Sequence, residues 1–336
     1  MNNNLGFVRV FAACMVMYSH GYALNGLAEP ALLSWTPVGP LALLSFFCIS
    51  GYLIAQSWDA DPHLLRYLAR RSLRIFPALA VCVLLTVLVL GPLMTTWPLG
   101  RYFASAETLG YLRNIVLYMS FRLPGVFTDN PFTDAVNGSL WSLTPEFILY
   151  LVVAATGLLF RSSRHVYLGL LVICAAVCLL WPVPGGAQVV VYATDAGLVF
   201  LMGIYFFSGA CIFRYRLNRF FSLPALLLAI ALQLCLEPWP AVARLASWVL
   251  LPWIVLSIGL ALSPPLSRLV KSGDYSYGLY IYASPVQQVI VQLFPQAGFL
   301  VNQAATWSIT LGLAILSWHW VEKPMLGLKP ANPQPT

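Results

Sequence analysis

Long apolar stretches, separated by short polar connections, dominate the pattern of this chain. A helix needs roughly 20 consecutive apolar residues to cross the hydrocarbon core of a bilayer. Stretches of that kind predict about ten membrane-spanning helices, at residues 5–25, 37–57, 76–96, 140–160, 165–182, 196–213, 220–236, 245–262, 276–293 and 302–321. The pattern therefore predicts an all-α fold, a polytopic transmembrane helical bundle.

The connections between these stretches leave no room for a soluble domain, and the sequence shows no internal repeat. The longest connection, residues 97–139, is rich in Pro, Asp and aromatic residues and has an apolar stretch at 115–119. That stretch either lies on the membrane or re-enters it. We predict a single integral-membrane domain over residues 1–336.

Composition excludes an ordinary soluble protein. Hydrophobic residues make up 60% of the chain and charged residues only 9%, against roughly 25% charged residues in soluble domains. The net charge of +7 is spread in small groups between apolar stretches, which argues against nucleic-acid binding. The seven cysteines lie within apolar stretches, without the spacing of metal ligands, so no metal is expected.

The distribution of positive charge predicts the orientation, because short cytoplasmic connections are enriched in Lys and Arg. With the N-terminus inside, the outer connections hold Arg101, Arg113, Arg122 and Arg244. The inner connections hold Arg66, Arg70, Arg71, Arg74, Arg161, Arg164, Arg214, Arg216, Arg219, Arg268, Lys271, Lys323 and Lys329. This bias predicts an N-in, C-in topology. The first apolar stretch lacks the basic start of a signal peptide and is expected to remain as the first span.

Ionisable residues inside predicted spans are the candidates for function, since such residues are costly in a membrane and usually face a polar cavity or a partner. Arg9 and His20 are eleven residues apart in the first span. That spacing places them within roughly 20° of the same helix face and about 16 Å apart along the axis. The simpler alternative is that Arg9 extends to the inner headgroups and His20 forms a hydrogen bond at the outer interface.

Glu146 follows Pro145 near the predicted start of the fourth span. Proline suits the first turn of a helix, and a carboxylate is stabilised at that end by the helix dipole. We expect Glu146 to lie at the depth of His20, where it would orient the imidazole as a general base. The alternative is a buried ion pair that only holds two helices together.

Arg70, Arg71 and Arg74 form a basic group at the predicted inner end of the third span. By itself this group is a positive-inside signal. Because Arg9 is expected at the same level, several guanidinium groups would converge there and suit a phosphate-bearing ligand such as a coenzyme A thioester.

Six sequence features follow one another along the chain: Arg9 with His20, FFCISGYLI at 46–54, the basic element at 71–77, SLWSLTPE at 139–146, SYGLYIYASP at 276–285 and VEKP at 321–324. In this order they resemble the acyltransferase type 3 family of bacterial integral-membrane O-acyltransferases. The resemblance runs nearly from end to end.

This resemblance implies a ten-span protein of the bacterial inner membrane. The protein would transfer an acyl group, usually acetyl, from cytoplasmic acetyl-CoA or another acyl-CoA. The acceptor would be a hydroxyl of a cell-surface or exported glycan or glycolipid at the outer face.

The same resemblance implies roles for individual residues. His20 would be the essential catalytic residue, Arg9 its motif partner toward the donor and Glu146 a helper. Arg71 and Arg74 would contact the CoA phosphates. Many members have a histidine where this chain has Ala283, so that role cannot be assigned here.

Two mechanisms and one other class of protein stay open. His20 either deprotonates the acceptor hydroxyl or is itself acylated first. A glycan or lipid transporter or flippase would also have many spans and intramembrane charges, although it would favour a repeat symmetry that the sequence lacks.

Overall fold

The computed structural model describes residues 3–133, 135–160, 163–181, 189–262, 266 and 273–330, and most of the regular structure in them is helical. The helices are α1 Leu5–Leu24, α2 Val38–Ala60, α3 Leu64–Leu85, α4 Gly91–Met94, α5 Leu99–Ala104, α6 Ala106–Tyr111, α7 Leu143–Leu159, α8 Arg164–Leu180, α9 Ala196–Arg214, α10 Leu223–Cys235, α11 Pro240–Leu260, α12 Ser276–Leu293, α13 Phe299–Ser317 and α14 Lys323–Gly327. Turns of 3₁₀ helix lie at Leu112–Val116, Gly138–Ser142 and Leu217–Phe220, and π-helical turns at Thr86–Leu90 and Trp318–Glu322.

Two antiparallel pairs of very short strands lie just before long helices. Strands β1 (Ala31–Leu33) and β2 (Thr36–Pro37) precede α2, and β3 (Val190–Val191) and β4 (Thr194–Asp195) precede α9. Apart from these strands, the regular structure of the described residues is almost entirely helical, which confirms a mostly helical fold.

Seven of the described helical segments are long and apolar enough to cross a membrane, so the chain is a multi-pass membrane protein. They are Leu5–Leu24, Val38–Ala60, Leu64–Met94, Gly138–Leu159, Ala196–Arg214, Pro240–Leu260 and Phe299–Gly327. The other three predicted spans are helical as well, but α8 and α10 have only 17 and 13 residues and α12 is more polar. Ten crossings and the N-in, C-in orientation stay predictions.

The third helix begins at Leu64 rather than at residue 76, so its predicted start was wrong. It continues through Pro77 and the π turn to Met94, and the basic group therefore lies on the helix instead of in a connection. The apolar pattern stops where the arginines begin, but an arginine paired with a carboxylate can be part of a helix inside the protein. Similarly, α11 begins at Pro240 and includes Arg244, which the sequence assigns to an outer connection.

Helix α12 is polar because protein surrounds it. Every residue from Ser276 to Pro285 is buried, and the helix packs against α1 and α13. Its amide side chains bind neighbouring backbone: Gln287 Nε2 donates to the carbonyl of Met17 at 2.9 Å and Gln288 Nε2 to that of Ala135 at 2.9 Å. A central helix of this kind can carry polar side chains that a lipid-facing helix cannot.

The long connection at 97–139 folds onto the bundle. Tyr102, Tyr111 and Phe127 are almost completely buried, and the Tyr102 hydroxyl donates to the carbonyl of Val87 at 3.0 Å. The turn Leu112–Val116, which overlaps the apolar stretch at 115–119, packs against α3. This connection is therefore part of the core. Arg161, Arg268 and Lys271, which the sequence assigns to inner connections, lie outside the described residues.

Candidate active site

Arg9 and His20 both lie on α1, as predicted. Their surroundings differ. Arg9 Nη1 forms an ion pair with Asp274 Oδ2 at 2.7 Å, and Arg74 Nη2 on α3 reaches the same oxygen at 2.8 Å. Both guanidinium groups are partly buried, with side-chain exposures of 22% and 19%. The predicted convergence of Arg9 with the basic group of α3 is thus present, around a carboxylate that the sequence analysis did not single out.

Asp274 lies just before α12 and is fixed by its own chain. Its Oδ1 accepts a hydrogen bond from the hydroxyl of Ser276 at 2.5 Å. Burial by itself would raise the pKa of Asp274, but Arg9 and Arg74 hold it well below its usual range. Asp274 is therefore an anion that joins α1, α3 and the start of α12.

A second carboxylate, that of Asp61, binds Arg70 of the basic group together with Arg66, one turn earlier on α3. Asp61 accepts two hydrogen bonds from Arg66, at 2.8 and 2.6 Å, and one from Arg70 at 2.8 Å. These bonds lower the pKa of Asp61. Arg66 and Arg70 consequently share one carboxylate at the start of α3, whereas Arg71 and Arg74 line the interior cavity.

Arg9, Arg71, Arg74 and Lys329 line a cavity of about 180 Å³ between α1, α2, α3, α7 and α12. The rest of its lining combines hydroxyl groups, one carboxylate and apolar side chains, namely Ser50, Ser142, Ser276, Tyr150, Tyr277, Tyr280, Glu146, Leu43, Phe46, Phe47, Ile49, Leu53, Ile54 and Leu143. A space with several cations beside an apolar wall suits an anionic ligand that carries an uncharged chain.

Glu146 belongs to this cavity and is not paired with His20. Its Oε1 accepts hydrogen bonds from the hydroxyl of Ser50 at 2.9 Å and from that of Tyr150 at 2.5 Å. The predicted contact between Glu146 and His20 was therefore wrong. The reason is that the start of α7 is buried: Ser142, Leu143 and their neighbours have almost no exposed surface, so the helix begins inside the protein.

The hydrogen-bond partner of His20 is Ser139, in the 3₁₀ turn that precedes α7. The distance from His20 Nδ1 to Ser139 Oγ is 3.3 Å. Asn137 Nδ2 donates to the carbonyl of Ile281 at 2.8 Å, and the backbone N–H of Gly138 donates to Ser284 Oγ at 3.1 Å. These contacts hold the turn against α12 and thereby fix the hydroxyl that meets the imidazole.

Tyr280 links this turn to the cavity. Its hydroxyl donates to the carbonyl of Ser139 at 2.7 Å, so the proton in the 2.6 Å contact with Ser142 Oγ comes from the serine. Tyr280 and Ser142 both line the cavity. A continuous series of protein contacts therefore runs from the cavity through Tyr280 and Ser139 to His20.

Sequence reasoning missed Asp274, Ser139, Tyr280 and Lys329 as members of the site. Ser139 and Tyr280 do lie in the motif segments at 139–146 and 276–285, which could have directed attention to them. Asp274 is one of only 11 acidic residues in the chain, and its position beside the second of these segments was an available signal.

Comparison with known proteins gives matches that cover the chain almost completely. Residues 2–320 match the family model described as an acyltransferase domain. A protein of Shigella phage Sf6 named O-acetyl transferase is 29% identical over 332 residues, which cover 97% of this chain and 96% of the relative. Nodulation protein 10 of Rhizobium leguminosarum bv. viciae is 28% identical over 365 residues, with 97% and 94% covered. No solved structure is significantly similar.

Proposed function

The chain belongs to the acyltransferase type 3 family, whose model covers residues 2–320, and on that basis we propose that it moves an acyl group from acyl-CoA to a hydroxyl of a cell-surface or exported glycan. Family membership makes the chain an acyltransferase, not the transporter that the sequence left open. The phage relative is named an O-acetyl transferase, which supports acetyl as the group and a hydroxyl as the acceptor.

The observation that carries the proposal is the series of contacts between the cation-lined cavity and His20. Tyr280 lines the cavity and donates to the carbonyl of Ser139, and the Ser139 side chain contacts the imidazole. In our proposal the phosphates of acyl-CoA lie near Arg9, Arg71 and Arg74, and the pantetheine arm extends along α1 toward His20. The separation of Arg9 and His20, about 16 Å along a helix, suits an extended arm.

In the direct mechanism, His20 removes the proton of the acceptor hydroxyl. The oxygen attacks the thioester carbonyl carbon, a C–O bond forms, the C–S bond breaks, and the leaving sulfur takes the proton back from the imidazolium. The products are the O-acylated acceptor and free coenzyme A.

In the relay mechanism, the imidazole nitrogen attacks the thioester first and coenzyme A leaves from an acyl-imidazole. The acceptor hydroxyl then attacks the acyl carbon and restores the free histidine. A hydroxyl partner at Nδ1 is compatible with both mechanisms, because it leaves Nε2 for the reaction.

Glu146 has a supporting role in this proposal. Its carboxylate accepts from Ser50 and Tyr150 and offsets part of the positive charge of the cavity. It thereby helps to shape the space for the donor and does not act on His20 directly.

We place the enzyme in a bacterial inner membrane, with the cavity open to cytoplasmic acyl-CoA and the acceptor, a glycan or glycolipid, at the outer face. Membrane lipids surround the helices that are long and apolar enough to span. This arrangement would carry only the acyl group across the bilayer.

The proposal is tested with inner-membrane vesicles, radiolabelled acetyl-CoA and cell-envelope glycan. We expect wild-type protein to label the glycan, and His20→Ala and Arg9→Ala to lose this activity at matched expression. His165→Ala, which removes an exposed imidazole outside the site, is the control and should keep it. Full labelling by His20→Ala would refute the mechanism.

A further inference from the structure

The C-terminal segment contributes a lysine to the donor cavity. Helix α14 (Lys323–Gly327) packs against α3, and the chain then turns so that Lys329 lines the cavity together with Arg9, Arg71 and Arg74. This residue is about 320 positions from Arg9 in sequence, and the family motifs quoted above end before it.

The cations of the cavity differ in how far ion pairs and hydrogen bonds within the protein already satisfy them. Arg9 and Arg74 share Asp274. Arg71 donates to the hydroxyl of Ser57 at 3.1 Å, and its Nε is buried without a hydrogen-bond partner among the described residues. The side-chain ammonium group of Lys329 has no hydrogen bond or ion pair with any described residue; the residue's backbone N–H donates to the carbonyl of Leu326 at 3.3 Å. Arg71 and Lys329 are therefore the two cations best placed to gain from an added anion.

The titratable and charged groups around Lys329 comprise four cations, three carboxylates and three tyrosines. They are Arg9 on α1, Arg70, Arg71 and Arg74 on α3, Glu146 and Tyr150 on α7, Asp274 before α12, Tyr277 and Tyr280 on α12, and Glu322 in the π turn. Burial, followed by the charges of Arg74, Arg71, Arg9 and Arg70, lowers the pKa of Lys329 to about 8. An anion bound beside it would favour the protonated form.

We propose that Lys329 binds the phosphate groups of the acyl-CoA donor, and that donor affinity falls when Lys329 loses its proton. This inference rests on the proposed function, which supplies the donor. Arginine remains charged throughout the accessible pH range, so Lys329 is the cation of this cavity that a rise in pH can switch off.

The size of the effect follows from the protonated fraction. If only the protonated form binds well, apparent affinity is proportional to that fraction. For a group that titrates near pH 8, the fraction falls about tenfold between about pH 7 and pH 9. We therefore expect the dissociation constant of coenzyme A to rise up to about tenfold over this interval.

The test is calorimetric binding of coenzyme A to the full chain, purified in dodecyl maltoside, at these two pH values. Lys329→Arg should remove the pH dependence that wild type shows, because its charge persists. Lys329→Gln should bind weakly at both values. Lys323→Gln changes an exposed lysine of α14 and should behave as wild type.

The outcomes separate this inference from the proposed function. If wild type does not bind coenzyme A at about pH 7, the acyl-CoA donor itself is refuted. If wild type binds but Lys329→Gln keeps its affinity and pH dependence, only the role of Lys329 is refuted, provided that the variant elutes as a folded protein in size exclusion. Phosphatidylglycerol added to the micelles should not compete with coenzyme A for the site. Loss of coenzyme A binding when the lipid is present at the same phosphate concentration would assign the site to a lipid headgroup and overturn the inference.

Discussion

His20 is held through its Nδ1 atom by the hydroxyl of Ser139, 3.3 Å away. A carboxylate in that position would require a proton on Nδ1. A hydroxyl can donate or accept a hydrogen bond, so it is compatible with a proton on either ring nitrogen of His20. Tyr280 fixes the backbone of the same serine through its carbonyl. Ser139 is therefore a positioning residue, whose loss should change the rate of transfer more than the binding of the donor.

Ser139→Ala should lower kcat about fivefold, because one hydrogen bond contributes about 1 kcal/mol and that amount changes a rate by this factor. KM for acyl-CoA should stay at the wild-type value. The measurement is steady-state transfer of labelled acetyl groups by purified protein. Ser308→Ala, which changes an exposed serine of α13, is the control. A kcat for Ser139→Ala equal to that of wild type would contradict the assignment.

Asp274→Asn should lower the free energy of unfolding by about 1–3 kcal/mol near neutral pH, because Arg9 and Arg74 lose their shared carboxylate. Since the pKa of Asp274 is lowered in the folded protein, its contribution is fully present above about pH 4 and is lost as pH falls through the folded-state value.

Wild type should therefore lose thermal stability on acidification more steeply than Asp274→Asn, as measured by Tm in detergent. The control is Asp59→Asn. Asp59 pairs with Arg214 and is more exposed than Asp274, so this substitution should change the free energy of unfolding by less than about 1 kcal/mol. Parallel Tm profiles for wild type and Asp274→Asn would show that Asp274 does not stabilise the protein as a carboxylate.

The charged residues of the site were easier to predict than their partners. Arg9 stands out because a cation in an apolar stretch is unusual. Arg74 belongs to a basic group at the predicted inner end of a span, and the convergence of the two followed from placing both at one level. Ser139 and Tyr280 belong to residue types that are common throughout the chain, and only tertiary packing brings them to His20. Glu146 was assigned to the wrong partner because sequence does not reveal that the start of α7 is buried.

Helices α2 and α9 pack with their backbones in close contact at two glycines, beside a residue of the candidate site. A Cβ atom on Gly51 would overlap the carbonyl oxygen of Phe206, and one on Gly209 would overlap that of Cys48. Small residues at such positions let helices in membranes pack backbone to backbone. The contact also fixes Ser50, which precedes Gly51 and bonds to Glu146.

Gly51→Ala should lower the free energy of unfolding by about 1–3 kcal/mol, because the added methyl group must displace the backbone of α9. Thermal unfolding in detergent measures the change. Gly169→Ala on α8 is the matched control, since its added methyl group would have no other atom within 4 Å among the described residues and alanine favours a helix. Equal Tm values for both variants would refute the close contact.

Apolar length predicted helices at the right places but not all of their ends. Apolar length gave the wrong start for α3, because the first turns of that helix contain Arg66 and Arg70, which pair with Asp61. It also cannot distinguish a lipid-facing helix from α12, which is surrounded by protein. Both failures have one cause. Hydropathy treats each residue as if lipid surrounded it, whereas partners inside the bundle reduce the free-energy cost of burying a polar side chain.

At the scale of the whole molecule, orientation decides which compartment each substrate enters from. The positive charge predicts that the long connection at 97–139 lies outside and that the C-terminal segment lies inside. The same assignment predicts that Lys329 and the arginine-lined cavity lie on the cytoplasmic side, from which the proposed acyl-CoA donor would enter.

Cysteines introduced one at a time into a Cys235→Ser background, which removes the exposed native thiol, test this orientation in intact cells with a membrane-impermeant maleimide, against the background protein as the control. Gly110→Cys, at an open position of α6, should react in intact cells. Lys323→Cys on α14 should react only after the membrane is permeabilised. The reverse pattern would invert the topology and place the cation-lined cavity on the wrong side for cytoplasmic acyl-CoA.

The most direct test of the central claim is the rate of acetyl transfer from acetyl-CoA to envelope glycan by purified His20→Ala protein that still binds coenzyme A. The claim predicts a rate at least about 10²-fold below that of wild type, with coenzyme A affinity unchanged, because the cations that bind the donor are separate from the imidazole that acts on the acyl group. A His20→Ala protein that binds coenzyme A and transfers acetyl groups at the wild-type rate would contradict it.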